Sequence, residues 1–378
     1  MATTEPDTTP VDLAQEPMRR ALAEQFSETP PTPPLKGCGP GRQLELGCFF
    51  DGTRNNRWML DETSSETNVA RLYDAYGSGA RTEGYVERDK RYLVGVGAGE
   101  AQLCFALGRE QPAVGTGTYA AATGFGGKFR VNMMYDWVKA KIEAHCRVFD
   151  PQSPKLIDVF GFSRGALSAR TFVNLVNQAL KTEPGPAFQN IEVRFLGVFD
   201  TVESVHWIER AEASNCHVTN SDYRAARHYT ARHEIRENFP LTLLDPGAAS
   251  VEYPGVHADV GGGYANGVEG KKNWLSFVTC YDMAAACRAQ GIPMGAIPIP
   301  SGCDVGPESF LRSGSFRLVG RNSSDEELVA SFVHVSHREY SLTDSDTWGM
   351  GAEPSGSRTH IRTTSMRLSA RPPGFSWS

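Results

Sequence analysis

The stretch Leu156–Leu180, LIDVFGFSRGALSARTFVNLVNQAL, decides the fold. It opens on an apolar run, Leu156–Phe160, of the kind that forms a buried strand. It breaks at Gly161-Phe162-Ser163-Arg164-Gly165 and continues through Ala166, Ala169, Val173, Val176 and Leu180. Those last five step by 3, 4, 3 and 4, the period of a helix with one buried face. A G-x-S-x-G pentapeptide alone is a weak signal in a chain with 38 glycines. Set directly between strand and helix it becomes specific. A tight strand–turn–helix elbow crowds its neighbours, so both flanking positions must be small. The same turn lifts the serine above the sheet, with the N–H groups of the helix start aimed toward it.

Outward from this elbow, apolar runs alternate with helical periodicity. Leu44–Phe50 (LELGCFF) reads as a strand ending in a turn at Asp51-Gly52, and Asn68–Tyr76 as a short helix. Tyr92–Val96 reads as a strand running into Gly97-Ala98-Gly99. Val131, Met134, Val138, Ile142, Cys146 and Phe149 trace a buried helix stripe. Ile191–Phe199 is a strand, Val251–Val256 a short one, and Trp274–Arg288 a helix. Strands alternating with helices imply an α/β fold, a mostly parallel sheet with helices on both faces. Such sheets carry their chemistry beyond the C-terminal ends of the strands.

An elbow serine needs a base and an orienting acid, supplied in the chain order Ser, Asp, His. Asp200 ends the strand Ile191–Phe199 among apolar or neutral neighbours, where a carboxylate must accept hydrogen bonds to be tolerated. Orienting an imidazole supplies one, although a cap on the next turn would also satisfy it. His257, in the glycine-dense YPGVHADVGGGY (Tyr253–Tyr264), is the candidate base. His334 in FVHVSH is the rival, flanked by alternating apolar residues like an in-sheet position, and Asp259 is the rival acid. The oxyanion donors expected are the N–H of Arg164 and an N–H from the turn Asp51-Gly52-Thr53, which as an Asx turn would also shape its own loop. No metal or organic cofactor is expected.

The remainder of the 378 residues narrows the class. Lys plus Arg number 38 against 44 Asp plus Glu, net −6, with no basic block, so nucleic acid is not an expected partner. No run of about 18 uncharged apolar residues is present to cross a membrane. The start, MATTEPDTTPVDLAQEP, is acidic where a signal peptide needs a cationic and then an apolar segment, so a cytoplasmic protein without a cleaved signal is expected. Eight scattered cysteines form no C-x-x-C pair and read as buried free thiols. Residues 1–42, with PPTPP and one helical candidate near Leu13–Phe26, read as an extension. Residues 43–350 read as one catalytic domain and 351–378 as a loosely held tail.

Nine blocks, FFDGTRNN, TNVARLY, GVGAG, ATGFGGKFR, GFSRGALSAR, LGVFDTVESV, HEIRENFP, PGVHADVGGGY and FVHVSHREY, follow one another in this order. Together they resemble the α/β-hydrolase domain of type VI secretion phospholipase effectors, in the lipase family whose elbow reads G-F-S-R-G. The match runs from about Phe49 to Tyr340. Carried over, the family's nucleophile falls on Ser163, its acid on Asp200 and its base on His257. The resemblance implies an antibacterial toxin, injected without a signal peptide into a rival's periplasm, where it cleaves acyl esters of membrane phospholipids. It also implies two protein partners, a secretion spike protein and a cognate immunity protein. The Arg- and His-rich segment Trp207–Phe239 (Arg224, Arg227, His228, Arg232, His233, Arg236) reads as a solvated charged helix, or as a cover that meets lipid phosphates.

Overall fold

Water does not reach the strands that make the centre of this protein, which is why they read as unbroken apolar runs. The computed structural model describes residues 42–58, 60, 64–77, 86–98, 127–203, 222–234, 236, 239, 241–244, 250–300, 317–318, 321–322, 332–334 and 359–360. The N-terminal extension, including the helical candidate at Leu13–Phe26, lies outside them. From the tail they include Thr359 and His360.

The chain forms β1 (Gln43–Phe50), β2 (Ser64–Thr67), α1 (Asn68–Ala75) and β3 (Val86–Leu93). After α2 (Gly127–Val148) come β4 (Lys155–Phe162), α3 (Arg164–Gln178) and β5 (Ile191–Phe199). β6 (Ala225–Ala231), β7 (Leu241–Thr242), β8 (Ser250–Tyr253), α4 (His257–Gly261), β9 (Gly262–Tyr264) and α5 (Trp274–Ala289) follow. Six strands form one sheet in the order β3-β1-β4-β5-β6-β8, and every pairing in it is parallel. Winding starts at β1, runs out to β3, then returns past β1 to β4 and onward. The order therefore reverses between β1 and β4, and in open parallel sheets a crevice forms at that point.

Successive strand residues face opposite ways, and β1 shows it directly. The ring of Phe49 packs on Tyr73 and Tyr76, at the end of α1, and stacks at 4.7 Å on Phe160. The ring of Phe50 meets Phe172 of α3 on the other face. Helices thus cover both sides, α3 with α2 on one and α1 with α5 on the other. The α3 stripe Ala166, Ala169, Val173 and Val176 is fully buried.

Two expectations move. The strand expected at Tyr92–Val96 ends at Leu93 and begins six residues earlier, at Val86. It lies at the sheet edge, where VERDK keeps charged side chains half in water and so conceals the strand pattern. The solvated helix expected within Trp207–Phe239 is corrected outright: Ala225–Ala231 is the interior strand β6, between β5 and β8. His228 is fully buried there, its Nε2 taking the N–H of Thr201 at 3.2 Å. Residues 207–221 lie outside the described residues. Among the described residues no helix is long and apolar enough to cross a membrane.

A cluster of three mutually paired charges sits inside the sheet, one on each of β1, β4 and β5. Arg194 grips Asp158 with Nε at 2.9 Å and Nη2 at 2.6 Å, and reaches Glu45 with Nη1 at 3.0 Å. The Tyr76 hydroxyl donates to Asp158 at 2.8 Å, and Arg88 pairs with the second oxygen of Glu45. Arg194 is also the extra residue of a bulge: Ile157 pairs with Val193 but Asp158 with Phe195. Removing the cation alone leaves Asp158 buried with no counter-charge, and leaves Glu45 held by Arg88 only. Arg194→Met is expected to lower unfolding stability by about 3–5 kcal/mol, read as a lower urea midpoint with unchanged slope.

Candidate active site

At the reversal point the first element is the elbow. Ser163 has φ 58° and ψ −129°, a conformation that L-residues rarely adopt, and it directly precedes the first residue of α3. Such strain persists only where the surroundings over-determine it, and here they do. The Ser163 N–H donates to Phe199 O at 3.0 Å. Its carbonyl accepts from Ala166 at 3.0 Å, Leu167 at 3.3 Å and Val202 at 3.4 Å. Phe199 and Val202 bracket Asp200, so the serine's backbone is tied to both sides of that carboxylate. Smallness at the flanks is equally enforced. A Cβ on Gly165 would lie 2.2 Å from Asp51 O and 2.4 Å from Phe50 O, and one on Gly161 2.6 Å from both Gly165 O and Ala166 Cα.

Asp200 stands at the end of β5 without exposure to water. Its Oδ1 accepts the Ala231 N–H at 2.8 Å, and its Oδ2 lies 2.5 Å from His257 Nδ1. His257 is the first residue of the short helix α4. Its ring rests on Phe162 at 4.5 Å and meets the edge of Phe239 at 4.9 Å. Phe162 is itself wedged where a Cβ on Gly261 would fall 2.0 Å from its ring, so the glycines of DVGGGY make room for the aromatic that seats the imidazole. Burial holds the His257 pKa below the usual histidine range, and the contact with Asp200 opposes that shift. With Nδ1 facing a carboxylate, the tautomer this environment favours carries its proton there and leaves Nε2 as the basic nitrogen.

The rival residues answer one another instead. His334 Nδ1 lies 2.5 Å from Asp259 Oδ1, and the His334 N–H donates to Asp259 Oδ2 at 3.0 Å. The same Oδ2 takes the Val256 N–H at 2.9 Å. Asp259 is thereby committed to pinning His334 beside α4, and the ring of Tyr264 covers that imidazole at 4.5 Å.

The turn after β1 narrows the choice of donor. The Asp51 N–H goes to Leu93 O at 3.0 Å and the Gly52 N–H to its neighbour's Asp51 Oδ1 at 2.7 Å, so these two are not open donors. Asp51 instead shapes the loop: its carboxylate also accepts from Thr67 Oγ1 at 2.8 Å and from the Tyr92 hydroxyl. Burial raises its pKa to about 6 against those hydrogen bonds. Thr53 ties the loop to the elbow, its Oγ1 accepting from Arg164 Nε at 2.7 Å. Among the described residues no hydrogen bond takes up the Thr53 N–H.

Sequence reasoning missed Glu234 and assigned Arg236 only to a charged segment. Glu234 is fully buried, and its Oε2 accepts the His257 N–H at 3.1 Å. The one legible hint was a Glu and an Arg two apart in HEIRENFP, with no apolar period to place them. Among the described residues no group of three His, Cys, Asp or Glu could hold a metal ion. Cys48, Cys280 and Cys287 are buried free thiols and Cys146 a half-buried one. Burial pushes the Cys280 thiol up to about 12, which leaves it inert as a nucleophile at neutral pH.

A family model described as "T6SS, Phospholipase effector Tle1-like, catalytic domain" matches residues 45–183 and 179–285. A solved structure titled as the Tle1 effector bound to the VgrG spike of the type VI secretion system is 22% identical, with a TM-score of 0.42 over 60% of this chain and 52% of that one. An uncharacterized protein from Pseudomonas aeruginosa is 21% identical, with a TM-score of 0.46 over 78% of this chain and 52% of its own. The chain therefore spans about half the length of the solved proteins it matches. No curated protein matches. The family model covers more than half of the sequence, and the chain belongs to the Tle1-like phospholipase effectors of the type VI secretion system, over their catalytic domain.

Proposed function

We propose that this chain is a serine phospholipase that hydrolyses acyl esters of membrane phospholipids, with Ser163 as nucleophile, His257 as general base and Asp200 as the acid that orients it. The observation that carries the reading is the 2.5 Å contact of Asp200 with His257, at a carboxylate flanked by Phe199 and Val202, which hold the backbone of a strained elbow serine. His257 Nε2 takes the hydroxyl proton as Ser163 Oγ attacks the ester carbonyl. The imidazolium that forms is stabilised by the buried Asp200 carboxylate and returns its proton to the leaving alcohol. The N–H groups of Arg164 and Thr53 are the proposed oxyanion donors, and water then releases the fatty acid from the acyl-enzyme.

We propose a biological setting that family membership supports. An injected phospholipase attacks the membrane of a rival cell from its periplasm, and the producer is protected by an immunity protein. One solved member carries a title describing its binding to a VgrG spike, and we extend a spike partner to this chain.

Fatty-acid release from phospholipid vesicles tests the activity, with Ser163→Ala alongside. Release should fall by at least about 10³-fold in the variant while its circular dichroism stays unchanged. Short-chain esters cleaved with vesicles untouched would move the substrate to soluble esters. A folded protein inert to a fluorophosphonate serine probe would make the chain a non-catalytic adaptor.

The pH dependence has a definite sign. The base works deprotonated, and burial holds the His257 pKa down, so the acid limb of kcat/KM should lie below the ordinary histidine value of about 6.5. A limb at or above that value would contradict the buried imidazole as base. The two histidines also separate: His257→Ala should cost as much activity as Ser163→Ala, whereas His334→Ala should act mainly through stability, read as a lower Tm with fluorophosphonate labelling retained.

A further inference from the structure

Three residues of the loop after β6 form a chain of contacts to the base. Glu234 Oε2 takes the backbone N–H of His257 at 3.1 Å. The guanidinium of Arg236 grips Glu234 with Nε on Oε1 and Nη2 on Oε2, both at 2.9 Å, and the Arg236 N–H adds a further bond at 2.9 Å. That guanidinium lies 3.5 Å from the centroid of the Phe239 ring, which meets the edge of His257. A fully buried carboxylate would normally be driven toward its neutral form. Here the fork of Arg236 overcomes burial and holds Glu234 down at about 2.

We propose that Glu234 and Arg236 are positioning residues for His257, an ion pair that fixes the base by its backbone and its ring together. The inference rests on the reading of His257 as general base. Its logic is mechanical and electrostatic. The first N–H of a helix has no partner within the helix, and Glu234 supplies one for α4. Because α4 is only five residues long, this anchor and the Asp259 cap are what fix its start. Phe239 meets the imidazole edge-on, and Arg236 holds that aromatic through its ring face.

The charged groups acting on His257 come from three elements. Asp200 stands at the end of β5, Glu234 and Arg236 on the loop after β6, and Asp259 on α4 itself is committed to His334. Glu234 and Asp200 favour the protonated imidazole and Arg236 disfavours it. The pair therefore acts as a balance in which each member offsets the other at the base.

The test is the pH profile of kcat/KM for the full chain on a monomeric p-nitrophenyl ester, which removes any membrane step. Glu234→Gln keeps an oxygen for the His257 N–H but deletes the charge. Its acid limb should move to lower pH, and kcat on the plateau should fall on the order of tenfold with KM little changed. Arg236→Met deletes the opposing charge, and over the pH range in which Glu234 stays ionised its limb should move to higher pH, with Arg236→Lys returning it toward the parent position. A purely structural role would lower Tm in all three variants and leave both limbs where they were, and that result overturns the proposal. Should Glu234→Gln fail to fold, the upward shift in Arg236→Met and its reversal in Arg236→Lys decide alone. His257→Asn separates the two levels of the argument. If it retains the parent's activity, the base assignment itself fails. If it is inactive while the limbs of the folded variants stay fixed, only the role of the pair fails.

Discussion

Two backbone hydrogen bonds hold the centre of this protein together: Ser163 N–H to Phe199 O, and Val202 N–H to Ser163 O. They pass on either side of Asp200 and knit the end of β4 to the end of β5 beyond the point where the sheet itself stops. The strained φ of Ser163 is sustained by them, since relaxing the turn would break both bonds and the start of α3 together. The close seat of α3 on β1 follows from the same geometry. Gly165 passes so near the carbonyls of Phe50 and Asp51 that the elbow, the first strand and the loop after it form one rigid block.

Around the imidazole, burial and charge oppose one another. Desolvation disfavours the imidazolium, and two carboxylates favour it, one at Nδ1 and one at the backbone. A base in water would have the opposite problem, being well solvated but unoriented. The aromatic rings of Phe162 and Phe239 exclude water from the ring while fixing its plane, so orientation and desolvation come from the same contacts.

The sequence was legible where one rule governs a segment. β4, α3 and β5 are each buried through most of their length, and their periods give them to within two residues. Asp200 and His257 could be singled out because strand ends and glycine-dense loops are where such folds keep polar groups. Legibility failed where two demands overlap. In β3 the edge position keeps charges exposed along half the strand. In β6 an interior strand carries Arg227 and His228, whose polarity is absorbed by partners distant in sequence. Glu234 was invisible for the same reason: its meaning lies in a backbone N–H 23 residues away, which no local period encodes. The pairing of Asp259 with His334 spans 75 residues and was equally hidden, so both stood as rivals until their contact could be seen.

The bulge at Arg194 has a consequence for phase. From Ile191 to Val193 the two central strands run Lys155 with Ile191, Leu156 with Glu192 and Ile157 with Val193. Continued without interruption, that pairing would set Ser163 opposite Phe199 and carry Asp200 one step past the elbow, turned to the other face of the sheet. Arg194 inserts a half-period, after which Phe162 stands opposite Phe199 and Asp200 arrives level with the serine. The buried cation thus works as a phase shifter: its grip on Asp158 and Glu45 keeps the extra residue in place, and the alignment of the acid with the elbow, six residues further along, is set by it.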